Sequence, residues 1–405
     1  MEDNRSIAHM DLDTFFVSCE RLIDSRLVGK PVMVGGTTDR GVVAACSYEA
    51  RQYGVHSAMP MKLARQLCPE GIVLRGNTGI YTKYSNMVTD IIKEEVPLYE
   101  KSSVDEFYID LTGMDRFFGC YKLVSELRDR IIKETGLPIS FGLSINKTVS
   151  KIATGEAKPN NKIHIERGTE KGFLSPLSVK KIPMVGNKTY QSLCDFGMKR
   201  IQNVQQMPPK VMGRVFGKNG ISIWKKANGI DLSPVIAYQE RKSISTERSF
   251  DQDTTDVARL KSIITAMAEN LIFQLRRGNK LTACVTVKIR YSDFTTYTQQ
   301  RKVPYSASDH LLLPVVMDLY DKLYNRRLLV RMVGVRFSHL VEGGHQINLF
   351  DDRPELIQLY NAMDYLRDKF GDRAVLRASG FGAKTIGRFN PFSGEAPPLL
   401  ANRRE

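Results

Sequence analysis

Ile7-Ala8-His9-Met10-Asp11-Leu12-Asp13-Thr14-Phe15-Phe16-Val17-Ser18-Cys19-Glu20 opens on an apolar run that carries two carboxylates one residue apart. A strand alternates its faces with a period of two, so in a strand Asp11 and Asp13 point one way and Leu12 the other. The adjacent aromatics Phe15 and Phe16 then lead into a predicted helix through Val17, Glu20 and Leu22. Carboxylates at the end of a buried strand are costly unless something pairs with them. Hard divalent cations, which take oxygen ligands, are the usual partner.

A second acidic stretch supplies further ligands. Ser103-Val104-Asp105-Glu106-Phe107-Tyr108-Ile109-Asp110 places two adjacent acids in an apolar, β-favouring run. Neighbours in an ideal strand face opposite sides, so Asp105 and Glu106 reach one site only at a tight turn or bulge. Together with Asp11 they form a candidate carboxylate cluster for two Mg²⁺ ions, the arrangement that serves phosphoryl transfer.

Charge is unevenly placed. The net charge is +15, yet residues 1–173 and 342–405 are each balanced. Residues 174–242 carry +9 and residues 243–341 carry +6. A neutral body with an acid cluster, followed by two basic segments, suggests a catalytic core with grips for a phosphate backbone. The 405 residues, 42% hydrophobic and 25% charged, suit a globular protein of several domains. No apolar run reaches the length of a membrane span, and the first five residues lack a signal-peptide layout. The six cysteines are scattered without a Cys-x-x-Cys pair, which argues against a zinc site and for reduced thiols in a cytoplasmic protein.

Along the chain, Lys30–Gly36 and Gly41–Cys46 read as a hairpin, and Ser47 as the cap of a helix in which Tyr48 and Arg51 share a face. Pro60–Cys68 reads as a helix, Gly71–Leu74 as a strand, Tyr81–Glu95 and Cys120–Thr135 as amphipathic helices, and Leu137–Ile145 as a strand. Asn146–Gly155 reads as a helix with Lys147 and Lys151 at i,i+4. This alternation indicates an α+β body. Residues 174–242 read as short helical pieces punctuated by prolines. There Ile182–Thr189, with Gly186 and Lys188, resembles a helix-hairpin-helix turn that offers backbone N–H groups to a DNA phosphate. Beyond them, helices are expected at Val257–Arg276 and Leu311–Tyr324, and strands at Thr282–Tyr291 and Leu328–Leu340. Lys288, Arg290, Arg336 and Arg301-Lys302 would give a basic sheet face.

The motifs Asp11-Leu12-Asp13-Thr14-Phe15-Phe16, Ser47-Tyr48-Glu49-Ala50-Arg51, Ser103-Val104-Asp105-Glu106, Asn146-Lys147 and Ala157-Lys158-Pro159-Asn160 stand in this order. In them the chain resembles a Y-family translesion DNA polymerase of the DNA polymerase IV branch. The resemblance implies an α+β right-hand polymerase with palm, small fingers and helical thumb, and an additional α+β little-finger domain. The palm would be 1–25 and 76–165, the fingers 26–75 and the thumb 166–240. A linker at 241–248, a little finger at 249–341, and a clamp-binding peptide with tail at 342–405 would follow.

The same resemblance implies site roles. Asp11, Asp105 and Glu106, with the Leu12 carbonyl, would hold two Mg²⁺ ions, with Asp13 behind them. Tyr48, Arg51, Lys158, Phe15 and Phe16 would hold the incoming dNTP. Phe16 would be the steric gate against a 2′-hydroxyl, and Val42 and Ala44 the roof over the nascent base pair. Gln346, Leu349 and Phe350 would bind a sliding clamp, although 55 residues follow them. Ala45 and Met184 stand where many relatives carry Thr and Gly. The implied activity is DNA-templated, low-fidelity translesion synthesis by a monomer in the nucleoid. A fingers segment too short for a large closing helix, and the lack of a second acid cluster for proofreading, agree with that. A catalytically inactive DNA and clamp adaptor is one alternative, disfavoured because the acids, Phe16, Tyr48 and Arg51 are all present. A nucleotidyl cyclase is another, for which the two basic blocks have no use.

Overall fold

The structure is a computed structural model that describes residues 5–114, 119–238, 240–343, 354–371 and 374–381. Two compact units part at residues 239 and 240. The first begins with β1 (Ile7–Leu12) and α1 (Phe15–Ile23). A small three-stranded layer follows, from β2 (Val32–Gly35), β3 (Val43–Cys46), α2 (Tyr48–Gln52), α3 (Met61–Leu67) and β4 (Ile72–Leu74). Its strand order is β3-β2-β4. The chain returns through α4 (Thr78–Glu95), β5 (Tyr99–Lys101), β6 (Glu106–Asp110), α5 (Cys120–Thr135), β7 (Ile139–Ser144), α6 (Lys147–Ala157) and β8 (Lys162–His164).

These strands form a five-stranded sheet, β5-β6-β1-β7-β8, with β1 in the centre and antiparallel to both neighbours. One face buries Ala8, Met10, Leu12, Phe107, Ile109, Phe141 and Leu143 against α4 and α5. Each of these side chains other than Ala8 contributes roughly 1.5–3 kcal/mol by leaving water. The opposite face carries Ile7, His9 and Asp11 and is covered by α6. Ser150 Oγ donates to the Ile7 carbonyl at 2.7 Å, and Thr154 Oγ1 to that of His9 at 2.9 Å. Helix and sheet approach closely because residue 142 is Gly. A Cβ there would lie 2.4 Å from the Ser150 carbonyl oxygen and 2.6 Å from the Thr154 nitrogen.

Four helices complete this unit: α7 (Glu170–Leu174), α8 (Asn187–Asp195), α9 (Ile201–Gln205) and α10 (Pro209–Ala227). Gly217, at φ 61°, kinks α10 into two segments. Leu193, Ile201, Val204, Met212 and Ile223 share a core with Val149 and Ile152 of α6. Asn146 Nδ2 adds a 2.7 Å hydrogen bond to the Gly229 carbonyl.

The second unit contains β9 (Ser243–Thr254), α11 (Val257–Arg277), β10 (Lys280–Tyr291), β11 (Thr296–Ser306), α12 (Asp309–Leu323), β12 (Val330–Glu342) and α13 (Pro354–Phe370). The sheet order is β11-β10-β12-β9, and one face packs on α11 and α12. The expected linker at 241–248 is corrected: Ser243 to Arg248 already pair with β12. A strand partner satisfies backbone groups that a free linker would leave to water. A β-bulge interrupts the pairing of β10 with β11 between Thr282 and Cys284, while the register of β10 with β12 runs through unbroken there, and both residues are buried. The helix α13 lies against this unit through Tyr360 and Arg367, 5% and 3% exposed, and leaves Leu359, Leu366 and Phe370 exposed. Among the described residues no helix is long and apolar enough to cross a membrane. All six cysteines are free thiols.

Candidate active site

Adjacent strand ends place the acids. Asp11 lies opposite Glu106, the first residue of β6. Asp105 sits in the bend just before it, and its carbonyl accepts the Leu12 N–H at 3.0 Å. Ser103 shapes this bend. Its Oγ accepts the Glu106 N–H at 3.1 Å and donates to Asp105 Oδ1 at 2.5 Å. The two adjacent acids therefore stand at a turn and not in a continuous strand.

At the other end of the motif, Thr14 has φ 43° and ψ 44°, the left-handed region. A non-glycine residue there stores about 1–2 kcal/mol of strain, typical of functional sites. Ser18 Oγ donates to the Asp13 carbonyl at 2.7 Å and fixes the turn. The turn sends Phe15 into the core at 3% exposure and leaves Phe16 half-buried at the surface.

The helix α6 and the turn after it bring lysines onto the acids. Lys158 Nζ bonds Asp11 Oδ1 and lies 3.3 Å from Asp13 Oδ1. Lys151 Nζ is 2.6 Å from Glu106 Oε1. Asp13, 1% exposed, also accepts from Ser140 Oγ at 2.9 Å and from the Asn160 N–H at 2.5 Å through Oδ2. Burial pushes the Asp11 carboxyl up to about 7, opposed by Lys158 and aided by Asp105 and Glu106. Burial also raises Asp105. Burial works against the Lys158 ammonium, yet Asp11 and Asp13 hold its pKa above the usual lysine value. Beneath them His9 is fully buried and held neutral by desolvation and by Lys151 and Lys158. Its Nδ1 bonds Thr154 Oγ1 at 2.9 Å.

Among the described residues no three Asp, Glu, His or Cys side chains converge as a metal cage. The cations beside the acids are the two lysines. The donor set itself, carboxylate oxygens and a backbone carbonyl, suits a hard divalent cation. The raised pKa of Asp11, due first to burial and only last to Asp105 and Glu106, marks a carboxylate short of solvation that a bound cation would supply.

The other expected residues lie as follows. The Arg51 guanidinium stands 4.8 Å over the Tyr48 ring. The Tyr48 hydroxyl is buried without a hydrogen bond. Burial raises its pKa, and Asp13, Lys158 and Asp11 all act on it. Ser47 caps the helix, accepting the Ala50 N–H. Val42 and Ala44 are exposed, flanking buried Val43.

Gly186 is the N-cap of α8, and Lys188 is exposed in its first turn. Met184 takes φ 76° and is 92% exposed. In the second unit, Lys288, Arg290 and Arg336 share the sheet face away from the helices. Arg336 lies opposite Thr286, and Val285, Val287 and Ile289 face the core. Arg301 is corrected: it lies opposite Val285, on the helix side, and pairs with Asp318 of α12. Gln346, Leu349 and Phe350 lie outside the described residues.

Sequence reading gave Lys151, Ser140 and Tyr81 no part in this neighbourhood and named Asn160 only within the Ala157-Lys158-Pro159-Asn160 motif; for Lys151 the i,i+4 spacing from Lys147 was a hint.

The profile of the impB/mucB/samB family matches residues 10–155, and that of the family's C-terminal domain matches residues 241–349. A DNA polymerase IV of Dehalococcoides mccartyi is 35% identical over 375 residues, covering 92% of this chain and 96% of that protein. A DNA polymerase IV of Treponema denticola is 35% identical over 337 residues, covering 83% and 85%. The structure of a Y-family DNA polymerase chimera of Dbh and Dpo4 superposes with a TM-score of 0.73 at 24% identity, over 84% of this chain and all of that one. With both family profiles in order and these relatives, the chain belongs to the impB/mucB/samB family, has the fold of a Y-family polymerase and is a DNA-directed DNA polymerase.

Proposed function

We propose that the chain performs low-fidelity translesion synthesis, joining a dNMP to a primer 3′-hydroxyl and releasing pyrophosphate, with two Mg²⁺ ions as cofactors. One observation carries this reading. Asp11 and Glu106 face each other across paired strands beside Asp105, each held by a lysine ammonium and not by an arginine fork. Asp11, Asp105 and Glu106, with the Leu12 carbonyl, would hold the ions. When bound, such ions supply charge neutralisation at the triphosphate and activation of the attacking hydroxyl.

The side chains divide the remaining work. Lys158, Arg51 and the unpartnered Tyr48 hydroxyl are donors for triphosphate oxygens. Asp13, tied to Ser140 and Asn160, fixes the turn that carries Lys158. Phe15 anchors the turn from the core, and Phe16 sits under the sugar as the gate. Val42 and Ala44 offer small apolar contact to a base pair, tolerant of irregular shape.

Primer–template DNA would be gripped by the α8 turn at Gly186 and Lys188 and by Lys288, Arg290 and Arg336. The fingers comprise 26–75, the palm 1–25 and 76–165, and the thumb 166–240. Primer extension opposite a panel of lesions tests the reading. Mg²⁺-dependent insertion opposite lesions is expected; insertion only opposite undamaged bases would overturn the translesion assignment. The chain is further proposed to act as a monomer and to bind a sliding clamp through Gln346–Phe350. Leu349→Ala with Phe350→Ala should abolish clamp-stimulated processivity and leave distributive synthesis unchanged. Loss of basal activity and thermal stability together would assign these residues to a core.

A further inference from the structure

Tyr81 lies in the first turns of α4 and touches α1 at two points one helical turn apart. Its ring stacks on Phe16, with centroids 4.4 Å apart and planes 16° apart. Its hydroxyl donates to Glu20 Oε1 at 2.5 Å. Phe16 and Glu20 are i and i+4 on α1, so both contacts fall on one helix face.

Tyr81 itself has no room to move. It is 1% exposed, with the Phe15 ring 6.3 Å away. A Cβ added to Gly76 would lie 3.5 Å from both the Tyr81 ring and the Val34 side chain. Burial and the Glu20 carboxylate hold the phenol protonated and therefore donating.

We propose that Tyr81 is a positioning residue for sugar discrimination, the fixed plate against which the Phe16 ring is held. The proposal rests on reading Phe16 as the gate. A half-buried phenylalanine at the start of a helix has more than one staggered χ1 available. A gate that swings between them leaves room for a 2′-hydroxyl part of the time. Stacking on a buried ring favours one rotamer, and aromatic pairs of this kind are worth about 0.5–1.5 kcal/mol. That is a factor of roughly two to twelve in rotamer population. Glu20 ties the plate to the helix that carries the gate, so gate and backing shift together. The triphosphate donors, the acids and the lysines are not touched by Tyr81. Its loss should therefore be felt where a 2′-hydroxyl is present and little elsewhere.

The test measures kcat/KM for a dNTP and for its rNTP with the full chain carrying Phe16→Ala, Tyr81→Leu, Glu20→Ala, or Phe16→Ala with Tyr81→Leu. Phe16→Ala should collapse the dNTP/rNTP ratio. Tyr81→Leu should lower it about fivefold, within the range set by the stacking energy, with dNTP efficiency within about twofold of wild type. Glu20→Ala changes a surface residue and leaves the core intact, so it reports even if Tyr81→Leu folds poorly. It should lower the ratio about twofold, the scale of one hydrogen bond lost at a partly exposed site. The double variant should match Phe16→Ala alone, because a plate without a gate has nothing to hold.

If Phe16→Ala collapses the ratio while Tyr81→Leu and Glu20→Ala leave it unchanged, the positioning role is wrong. Equal loss for dNTP and rNTP would likewise reduce Tyr81 to a packing residue. If Phe16→Ala itself does not lower the ratio, the gate reading fails first.

Discussion

Two regions of the molecule bury carboxylates beside cations, and they do it in different ways. In the first unit Asp11 and Glu106 meet lysines, each through one ammonium contact, and Lys151 and Lys158 keep 32% and 20% of their side chains exposed. In the second unit the carboxylates meet arginines. Arg276 binds both oxygens of Asp364 through Nε and Nη2, at 2.6 and 2.8 Å. Its Nη1 reaches Asp309 and the Ala307 carbonyl, at 2.7 and 3.0 Å. Asp309 is fully buried, and Arg377 reaches its other oxygen at 3.2 Å. A planar fork with several fixed bonds locks geometry, whereas a hydrated point charge on a flexible stem is readily replaced. The arginine cluster joins α13 to α11 and α12. The lysine cluster guards oxygens that another cation can take.

The contrast can be broken by mutation. Glu106→Ala should lower primer extension by ~10³-fold or more, because electrostatic stabilisation of a developing charge is the largest catalytic effect. Its unfolding free energy should change by less than ~1 kcal/mol, as befits a partly exposed pair. Extension within tenfold of wild type would remove Glu106 from the chemistry. Arg276→Ala should do the reverse in denaturant unfolding. Leaving Asp309 and Asp364 without the fork should destabilise the second unit by about 3–5 kcal/mol. A loss below ~1 kcal/mol would mean the arginine cluster is not a lock.

The next test uses pH, in buffer free of divalent cations. Folded Asp11 keeps its proton up to about pH 7, against an ordinary value of 3.8. Between those values the native state binds the extra proton, so stability falls as pH rises through the window and is flat above it. Asp11→Asn should flatten this part of the profile by roughly 4 kcal/mol, about 1.4 kcal/mol for each unit of the window. An unchanged profile would show that Lys158 fully compensates the burial. The smallest effect concerns strain without charge. Met184→Gly should stabilise the first unit by ~0.5–1 kcal/mol in thermal unfolding, since only glycine takes φ 76° freely. Destabilisation would show that the exposed Met184 side chain contributes packing that its surface position hides.

The central strands were legible because their core-facing positions are all apolar, Ala8, Met10 and Leu12 in β1 and Ile139, Phe141 and Leu143 in β7. The edge strands β9 and β11 were not. In the order β11-β10-β12-β9 they lie outermost, largely exposed, and read Ser-Ile-Ser-Thr-Glu-Arg and Thr-Tyr-Thr-Gln-Gln-Arg-Lys-Val-Pro. Periodicity has little to report where neither face is fully apolar, and Pro304 is tolerated at an edge. Among site residues, the acids announced themselves by being misplaced in apolar runs. Lys151 did not, because a lysine on an amphipathic helix looks like any solvated charge. What directs it inward is Glu106, a partner 45 residues away that no local pattern contains. The facing of Arg301 escaped for a similar reason, since its partner Asp318 lies on another element.

Gly142 sets a tolerance for the whole centre. It faces α6 on the back of the sheet and touches no reacting atom. Yet the distance it permits between helix and sheet is also the distance between two ammonium groups and the oxygens they guard. An added methyl group there must move the helix by the better part of an ångström before its oxygen and nitrogen atoms reach ordinary contact. Lys151 rides on that helix and Lys158 just beyond it, so both would retreat from the acids together. The calibration of the site is thus machined into the thickness of one residue that has no side chain, and a change there would detune the chemistry without altering a single group that performs it.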